Sequence, residues 1–317
     1  MYSNAAAVLR PDINTFVEEA RMNANLFIGD KVLPPFPSPT RGGQYPKFTD
    51  SVSDLRKDDT KKRSRGTSYP RVTRAYISDN FLCEDRGLEE VIDDTDAADL
   101  SRFFDVETQT ALRVMQQVMI RQELAVVSAL INTTNFASTA AAVAYTQANI
   151  ATIDLPQDVF NAIDVGLASG RMFNTIAMSA QVFNRVSRST LLQNLVRGKR
   201  STDSMVPLSE ADIASAFGLE NCFVGRAAYD SAKKGQTASA GFIWPNTHIW
   251  VGEVKTGAFE NGGAGRIIQW SEDASSLFVT ETYRAEQIRS DVVRVRQNVV
   301  EKISNNKAGH LIVTSYS

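Results

Sequence analysis

The sequence has little of what most catalytic chemistry requires. Its 317 residues include two cysteines, Cys83 and Cys222, and two histidines, His248 and His310. Two thiols so far apart cannot build a disulfide framework or a four-thiolate zinc site, so both read as structural free thiols. A nucleophilic triad needs a base oriented by a third group, and neither imidazole has a recognisable nucleophile motif beside it. His248 lies in Trp244-Pro245-Asn246-Thr247-His248-Ile249-Trp250, where the tryptophans point to a packed strand or an interface. His310, between Gly309 and Leu311, reads as the first residue of a strand. Long apolar runs are also missing: Ala140 to Tyr145 falls well short of the roughly 20 residues that cross a bilayer. No basic-then-apolar signal segment opens the chain, so an intracellularly made, soluble protein is expected. Charge of one sign is not in excess either, the formal net charge being -2. That excludes an all-over basic coat for nucleic acid and leaves only weak or local contact with phosphates.

Three sequence patterns that could bind a cofactor or metal are incomplete. Gly257 and Gly262 have the gap of a phosphate loop, but Gly263 and Ala264 stand where Lys and Ser or Thr are required. Gly263-Ala264-Gly265 lacks the third glycine of a dinucleotide fingerprint. In Asp94-Thr95-Asp96-Ala97-Ala98-Asp99, Asp99 stands where a calcium loop demands glycine. Neither a cofactor, a metal nor a catalytic residue is expected.

What is present describes a folded chain of α+β class. Hydrophobic residues at 43% and charged residues at 22% match folded proteins and not disorder. The length allows two modest domains, or one core with long excursions. A weakly helical stretch, Ile13 to Leu26, leads into Leu33-Pro34-Pro35-Phe36-Pro37-Ser38-Pro39, whose prolines impose an extended arm. Such an arm lies across its own domain or reaches over a neighbouring copy. Gly42 to about Ser78 is polar and glycine-punctuated and predicts a long two-stranded β-excursion, a length that usually serves a function. Residues 97–131 contain neither Pro nor Gly, and apolar positions from Leu100 to Leu130 recur at helical spacing. One amphipathic rod about 50 Å long is predicted. A small-residue link follows, then a helix from Pro156 to Leu167 with Val159, Ile163 and Leu167 on one face and Gly170 at its exit. Further on, the pattern predicts a strand at Thr175 to Met178 and helical pieces around Phe183 and Leu191 to Val196. The basic stretch Arg197 to Ser204 reads as a surface loop. Ser209 with Asp212 forms a capping-box pattern before a stop at Gly218. Strands are predicted at Cys222 to Gly225, Leu277 to Tyr283, Asp291 to Val295 and His310 to Thr314. A helix-containing middle flanked by β-rich segments gives α+β and not a regular βαβ alternation.

Two opposite charge patches lie close in sequence. The excursion carries Arg56, Lys57, Lys61, Lys62, Arg63, Arg65, Arg71 and Arg74, interrupted by Asp58 and Asp59, with too few aromatics for a base-stacking platform. The rod begins with Asp93, Asp94, Asp96 and Asp99, acids that suit a helix N-terminus. One reading places the basic excursion of one copy over the acidic helix entrance of another; the other leaves two solvated surfaces. Exposed pairs stabilise little singly, but complementarity repeated across an interface sets register.

This order of parts, together with Ser290-Asp291-Val292-Val293-Arg294-Val295-Arg296-Gln297-Asn298 and then Asn305-Asn306-Lys307-Ala308-Gly309-His310-Leu311-Ile312, resembles the major capsid proteins of tailed double-stranded DNA bacteriophages. The resemblance spans essentially the whole chain and implies the Hong Kong 97-like fold. On it, residues 1–45 are an N-terminal arm and 46–80 an extended loop. Residues 81–150 and 271–317 form a peripheral domain with a spine helix at 96–131, and 151–270 form an axial domain. It implies no enzyme activity. It implies self-assembly into hexamers and pentamers of an icosahedral shell in the virion, put together in the host cytoplasm, around DNA held by non-specific contact. A portal and a decoration protein are among its implied partners. No charged coiled coil occupies Met1 to Tyr45, which implies a separate scaffolding protein or an N-terminal piece already removed. Some relatives cross-link Lys to Asn between subunits, and Lys57, Lys61 and Lys62 sit where a donor could lie. An encapsulin-like shell around an enzyme cargo shares the fold. A hydrolase using His248 with Asp or Glu partners is the competing reading of a different class.

Overall fold

The computed structural model describes residues 8–9, 26–47, 60, 62–69, 71, 77–101, 105–197, 208–233, 235–259, 262–273 and 276–316. All but the last residue of the helical stretch expected over Ile13 to Leu26, and most of the basic loop Arg197 to Ser204, lie outside the described residues. In chain order the elements are β1 (Val8–Leu9), α1 (Gly29–Val32), β2 (Pro35–Ser38), β3 (Gly42–Lys47), β4 (Ile77–Leu82), β5 (Glu84–Asp93), α2 (Asp94–Leu100), α3 (Val106–Leu130), β6 (Ala137–Ala140), α4 (Leu155–Ala168) and β7 (Thr175–Ser179). They continue with α5 (Ala180–Val186), α6 (Thr190–Arg197), α7 (Glu210–Ala216), β8 (Asn221–Gly225), β9 (Ala228–Asp230), β10 (Ala240–Phe242), β11 (His248–Gly252), β12 (Gly265–Trp270), β13 (Val279–Ala285), β14 (Ser290–Ile303) and β15 (Gly309–Val313).

Two sheets divide the work. The first is organised by β14, a strand of 14 residues. Along one edge β14 pairs antiparallel with β5, from Ser290 opposite Asp93 to Val299 opposite Glu84. Along the other it pairs with β12 and β13 in succession. The arm strand β2 joins β12 in parallel, Phe36 opposite Ile268, so the proline-rich arm lies across its own subunit here. Its prolines suit this position, because an edge strand has one row of N–H groups to spare. The second sheet has the order β6-β15-β11-β7-β8.

Helix α3 packs on both sheets. Val114, Met115 and Val118 share a core with Val293, Val295 and Val299 of β14, and the same core reaches Phe136, just before β6, and Trp250 and Leu311 of the second sheet. A second core lies between the other face of that sheet and helices α4 to α7, where Ile176, Ile249 and Ile312 meet Val159, Val186 and Leu192.

The uninterrupted rod expected over 96–131 is replaced by two helices. Asp93 caps α2 by accepting the Thr95 N–H at 2.8 Å. Asp105 then opens α3 as a fresh N-cap with extended backbone, its carboxylate taking the Thr108 N–H and hydroxyl. A second cap within the run competes with helix continuation, and the 25 residues of α3 span about 37 Å. The helix expected at Pro156 to Leu167 is found, capped by Asp154 and closed at Gly170, which has φ 75°. Its buried face differs from the expected one: Leu155, Asp158, Val159, Ala162 and Gly166 point inward and Leu167 is exposed. Gly166 decides this, because a Cβ there would lie 2.9 Å from the Phe173 ring.

The expected strand at Thr175 to Met178 is β7, and the two helical pieces after it are α5 and α6. The capping box at α7 is complete, with the Ser209 hydroxyl accepting the Asp212 N–H at 3.2 Å and Asp212 accepting the Ser209 N–H at 2.9 Å. Ser209→Ala is expected to lower stability by about 1 kcal/mol, measured as a shift in urea midpoint; no shift would mean the box is not holding the helix start.

The expected division of the chain also shifts. β15, expected to return with the peripheral segments, sits in the second sheet between β11 and β6. Conversely β12, expected in the axial segment, pairs with β14. The reason is burial on both faces: Leu311 and Ile312 are shielded by different cores, which a central position supplies and an edge does not.

Candidate intersubunit surfaces

The excursion leaves the body as an antiparallel ribbon, β3 against β4, from Gly42 opposite Leu82 to Lys47 opposite Ile77. Its root is anchored by Tyr45, whose hydroxyl lies 3.3 Å from Asp79 Oδ2 and 3.4 Å from the Ile303 carbonyl. Burial, reinforced by the Asp79 charge, pushes the Tyr45 phenol far above its usual range, so it stays a donor. Asp79 is held below the usual carboxylate range, first by the Asn80 N–H and then by Lys47 at 3.3 Å. Farther out, Lys62, Arg63 and Arg65 are exposed, and the Arg63 guanidinium lies 5.1 Å from the Tyr69 ring centroid. Arg56, Lys57 and Lys61 lie outside the described residues.

The four acids of the helix entrance divide into two roles. Asp93 caps α2. Asp94 receives a fork of two N–H groups from Arg284 of β13, at 2.6 and 2.7 Å, which ties the helix to the sheet. Asp96 and Asp99 are exposed, and among the described residues neither has an ion-pair partner. The two outward carboxylates are therefore the ones a second surface can meet.

The hydrogen bonds from Arg284 hold Asp94 below the usual carboxylate range. A depressed folded value means that the contribution is present above the unfolded value and lost as pH falls through the folded one. Arg284→Ala should therefore return the Asp94 titration, followed by carboxyl carbon NMR, to the ordinary range. An unmoved midpoint would show that the pairing is not made in solution.

The face of the first sheet away from α3 is a charge ladder. Arg294 reaches Glu89 at 2.5 Å and Glu281 at 3.4 Å, while Arg296 reaches Glu281 at 2.9 Å and Asp273 at 2.5 Å. Gly87 lets Arg296 lie across β5, because a Cβ there would be 2.9 Å from the Arg296 Cβ. These shared carboxylates join β5, β13 and β14 by networks, which hold geometry better than isolated exposed pairs.

The residues weighed for chemistry are dispersed. His248 starts β11, with Nδ1 2.8 Å from the Thr247 hydroxyl, and burial pulls its pKa down. His310 is buried in β15, with Nε2 2.9 Å from the Thr139 hydroxyl. Both thiols are buried, and burial pushes that of Cys222 up to about 12. Among the described residues no cluster of His, Cys, Asp and Glu could hold a metal, and no helix is long and apolar enough to cross a membrane.

No protein-family model and no curated protein sequence matches this chain. Solved structures do. A phage-related protein from Bordetella bronchiseptica RB50 aligns with TM-score 0.73 at 19% identity, over 98% of this chain and 98% of that one. The capsid structure of cyanophage P-SCSP1u aligns with TM-score 0.59 at 11% identity, over 92% of this chain and 88% of that one. This chain has the Hong Kong 97-like capsid fold. The SrpI encapsulin of Synechococcus elongatus PCC 7942 also aligns, with TM-score 0.51 at 11% identity, over 90% of this chain and 85% of that one.

On this capsid fold one buried residue joins the arm, the long helix and the segment before β11. Glu123 of α3 is 3% exposed. Its Oε1 accepts the Ile28 N–H at 3.1 Å and the Trp244 indole N–H at 2.6 Å, and its Oε2 accepts the Gly29 N–H at 2.8 Å. The arm is thereby fastened to the long helix where α1 begins. Gly29 is required for the close approach, since a Cβ there would lie 2.5 Å from Oε2. A sequence signal for this residue existed: Glu123 falls between Met119 and Val126 on the apolar stripe of α3, where an unpaired charge is costly.

Proposed function

We propose that this chain is a major capsid protein, a structural shell-builder whose business is its contacts with copies of itself. The observation that carries the reading is the fold match over 98% of both chains to a phage-related protein, with a phage capsid chain matching over most of its length as well. Hexamers and pentamers of the chain close into an icosahedral shell through contacts shared in rotation, driven by apolar area buried per subunit. The shell encloses double-stranded DNA by confinement, with sequence-independent contacts only, in keeping with a net charge of -2.

In this reading the arm and the excursion are the parts that reach neighbours. Lys62, Arg63 and Arg65, with Arg56, Lys57 and Lys61, meet Asp96 and Asp99 of an adjacent copy, while Asp93 and Asp94 hold the acidic helix in place from within. A separate scaffolding protein, a portal and a decoration protein complete the assembly in the host cytoplasm. The test is negative-stain electron microscopy of the purified chain after size exclusion, with and without co-expressed scaffold. Closed particles or capsomer rings are expected, and a monomer under every condition would overturn the reading. The contents of the particles, nucleic acid or a protein cargo, separate a phage shell from an encapsulin-like compartment.

A further inference from the structure

The excursion leaves the body through a satellite core separate from the two main ones. Tyr45 of β3, Phe81 of β4 and Cys83 just beyond are buried together with Phe259 and Ile268. Phe259 is the hub. Phe36 of the arm strand meets its ring edge-on at a centroid distance of 4.9 Å, and Tyr45 meets it at 5.8 Å. Arm, excursion and the loop before β12, far apart in sequence, converge on one side chain.

The loop that carries Phe259 is braced from inside. Arg266 is 1% exposed, and its guanidinium donates to three backbone carbonyls: Gly257 at 3.3 Å, Gly262 at 2.9 Å and Gly265 at 2.8 Å. Among the described residues no carboxylate lies within ion-pair distance of it. Glu253 acts on this cation only through space, and its direct partners are carbonyls, so its desolvation is offset only while the Gly257, Gly262 and Gly265 carbonyls stay convergent. Gly262 and Gly263 reach that shape with φ 83° and 93°, and a Cβ on Gly263 would lie 2.9 Å from the guanidinium.

We propose that Phe259 on its Arg266-braced loop is the seat that sets the angle at which the excursion leaves the subunit. The geometry stands by itself; its consequence for assembly rests on the shell reading. β3 and β4 have six residues each. At about 20 Å of ribbon, a tilt of about 10° at the root moves the far end by about 3 Å. Close-packed contacts do not absorb a displacement of that size. The Tyr45 hydroxyl, held between Asp79 and the Ile303 carbonyl, adds direction to the apolar hold. Phe259 is thus a positioning residue acting through the ribbon.

Two readouts on the full chain test this. In unassembled subunits, Phe259→Ala should speed hydrogen exchange of the β3 and β4 amides by about ten-fold or more, leaving β5 and β14 unchanged, while Phe259→Leu stays near wild type. In assembly, Phe259→Ala should lower the yield of closed particles by about ten-fold, with open sheets or tubes in their place, and Phe259→Leu should restore closure. If the alanine variant is insoluble, Phe259→Val, which keeps the position apolar and removes the ring that Phe36 and Tyr45 pack on, is read in the same two ways. Wild-type exchange in the ribbon overturns the seat. Faster exchange with uniform closed shells at wild-type yield overturns its role in assembly. A wild-type chain that never assembles removes the shell reading, and the exchange comparison still decides the seat.

Discussion

Glu123→Ala is expected to destabilise the fold by on the order of 3–5 kcal/mol and to release the arm first. The alanine leaves the N–H groups of Ile28 and Gly29 and the indole N–H of Trp244 without their acceptor. An unsatisfied buried donor costs about 1–3 kcal/mol, and the three are too close together to re-solvate independently. Equilibrium urea unfolding measures the total, and hydrogen exchange at Ile28 to Leu33 reports where it falls. An unchanged midpoint with protected arm amides would show that the carboxylate is not what holds the arm.

Glu123→Gln sharpens the test. The amide oxygen can still accept from Ile28 and Trp244, but its NH2 then faces the Gly29 N–H, so a smaller loss of about 1–3 kcal/mol is expected. Burial pushes the Glu123 carboxyl above its usual range, against the three donors that pull it down. With the folded value raised, its contribution is fully present below the ordinary glutamate range and is lost as pH rises through the raised value. The stability difference between wild type and Glu123→Gln should therefore shrink as pH rises, other carboxylates cancelling in the comparison. Parallel pH curves would refute the raised value.

Joint reversal of Lys62, Arg63 and Arg65 to glutamate is expected to abolish closed particles while leaving the subunit folded. All three side chains are exposed, so their replacement removes no core contact. On the proposed pairing, repeated in every capsomer, a like-charge juxtaposition with Asp96 and Asp99 would cost several kcal/mol and act on register. Particle yield by sedimentation should drop by about ten-fold or more with an unchanged thermal melt. Lysine at positions 96 and 99 should restore it. Assembly of the wild type should also weaken as salt approaches about 1 M, where the screening length falls to about 3 Å. Wild-type shells from the triple reversal would sink the pairing, and with it the assignment of the acidic helix as the excursion's target.

Much of this fold was legible because its signals are local. Pro156 at the start of α4, the Ser209 and Asp212 box, Gly170 and Gly218 at helix exits and the prolines of β2 each act through groups a few residues away. The break between α2 and α3 belongs to the same class: Asp105 and Thr108 are an N-cap pattern, and the apolar period on either side hid it. The resemblance drawn from the order of parts led to the right fold, although no family model carries it. The candidate surfaces were half legible. Charge runs could be seen, but not that Asp94 is committed to Arg284 across 190 positions while Asp96 and Asp99 stay outward.

The sequence by itself determined the α+β composition, the positions of most helices and strands, the extended arm and the lack of a familiar catalytic motif, because propensity, capping and turn chemistry are settled within one or two turns of chain. Tertiary structure alone decided that β14 holds β5 on one edge and β12 with β13 on the other. It also decided that β15 crosses into the second sheet, that Glu123 meets the arm and that Phe259 meets the excursion. Those are pairings between distant residues, chosen by which apolar faces can be buried together and which buried donors can find acceptors. Neither is a property of any single stretch of chain.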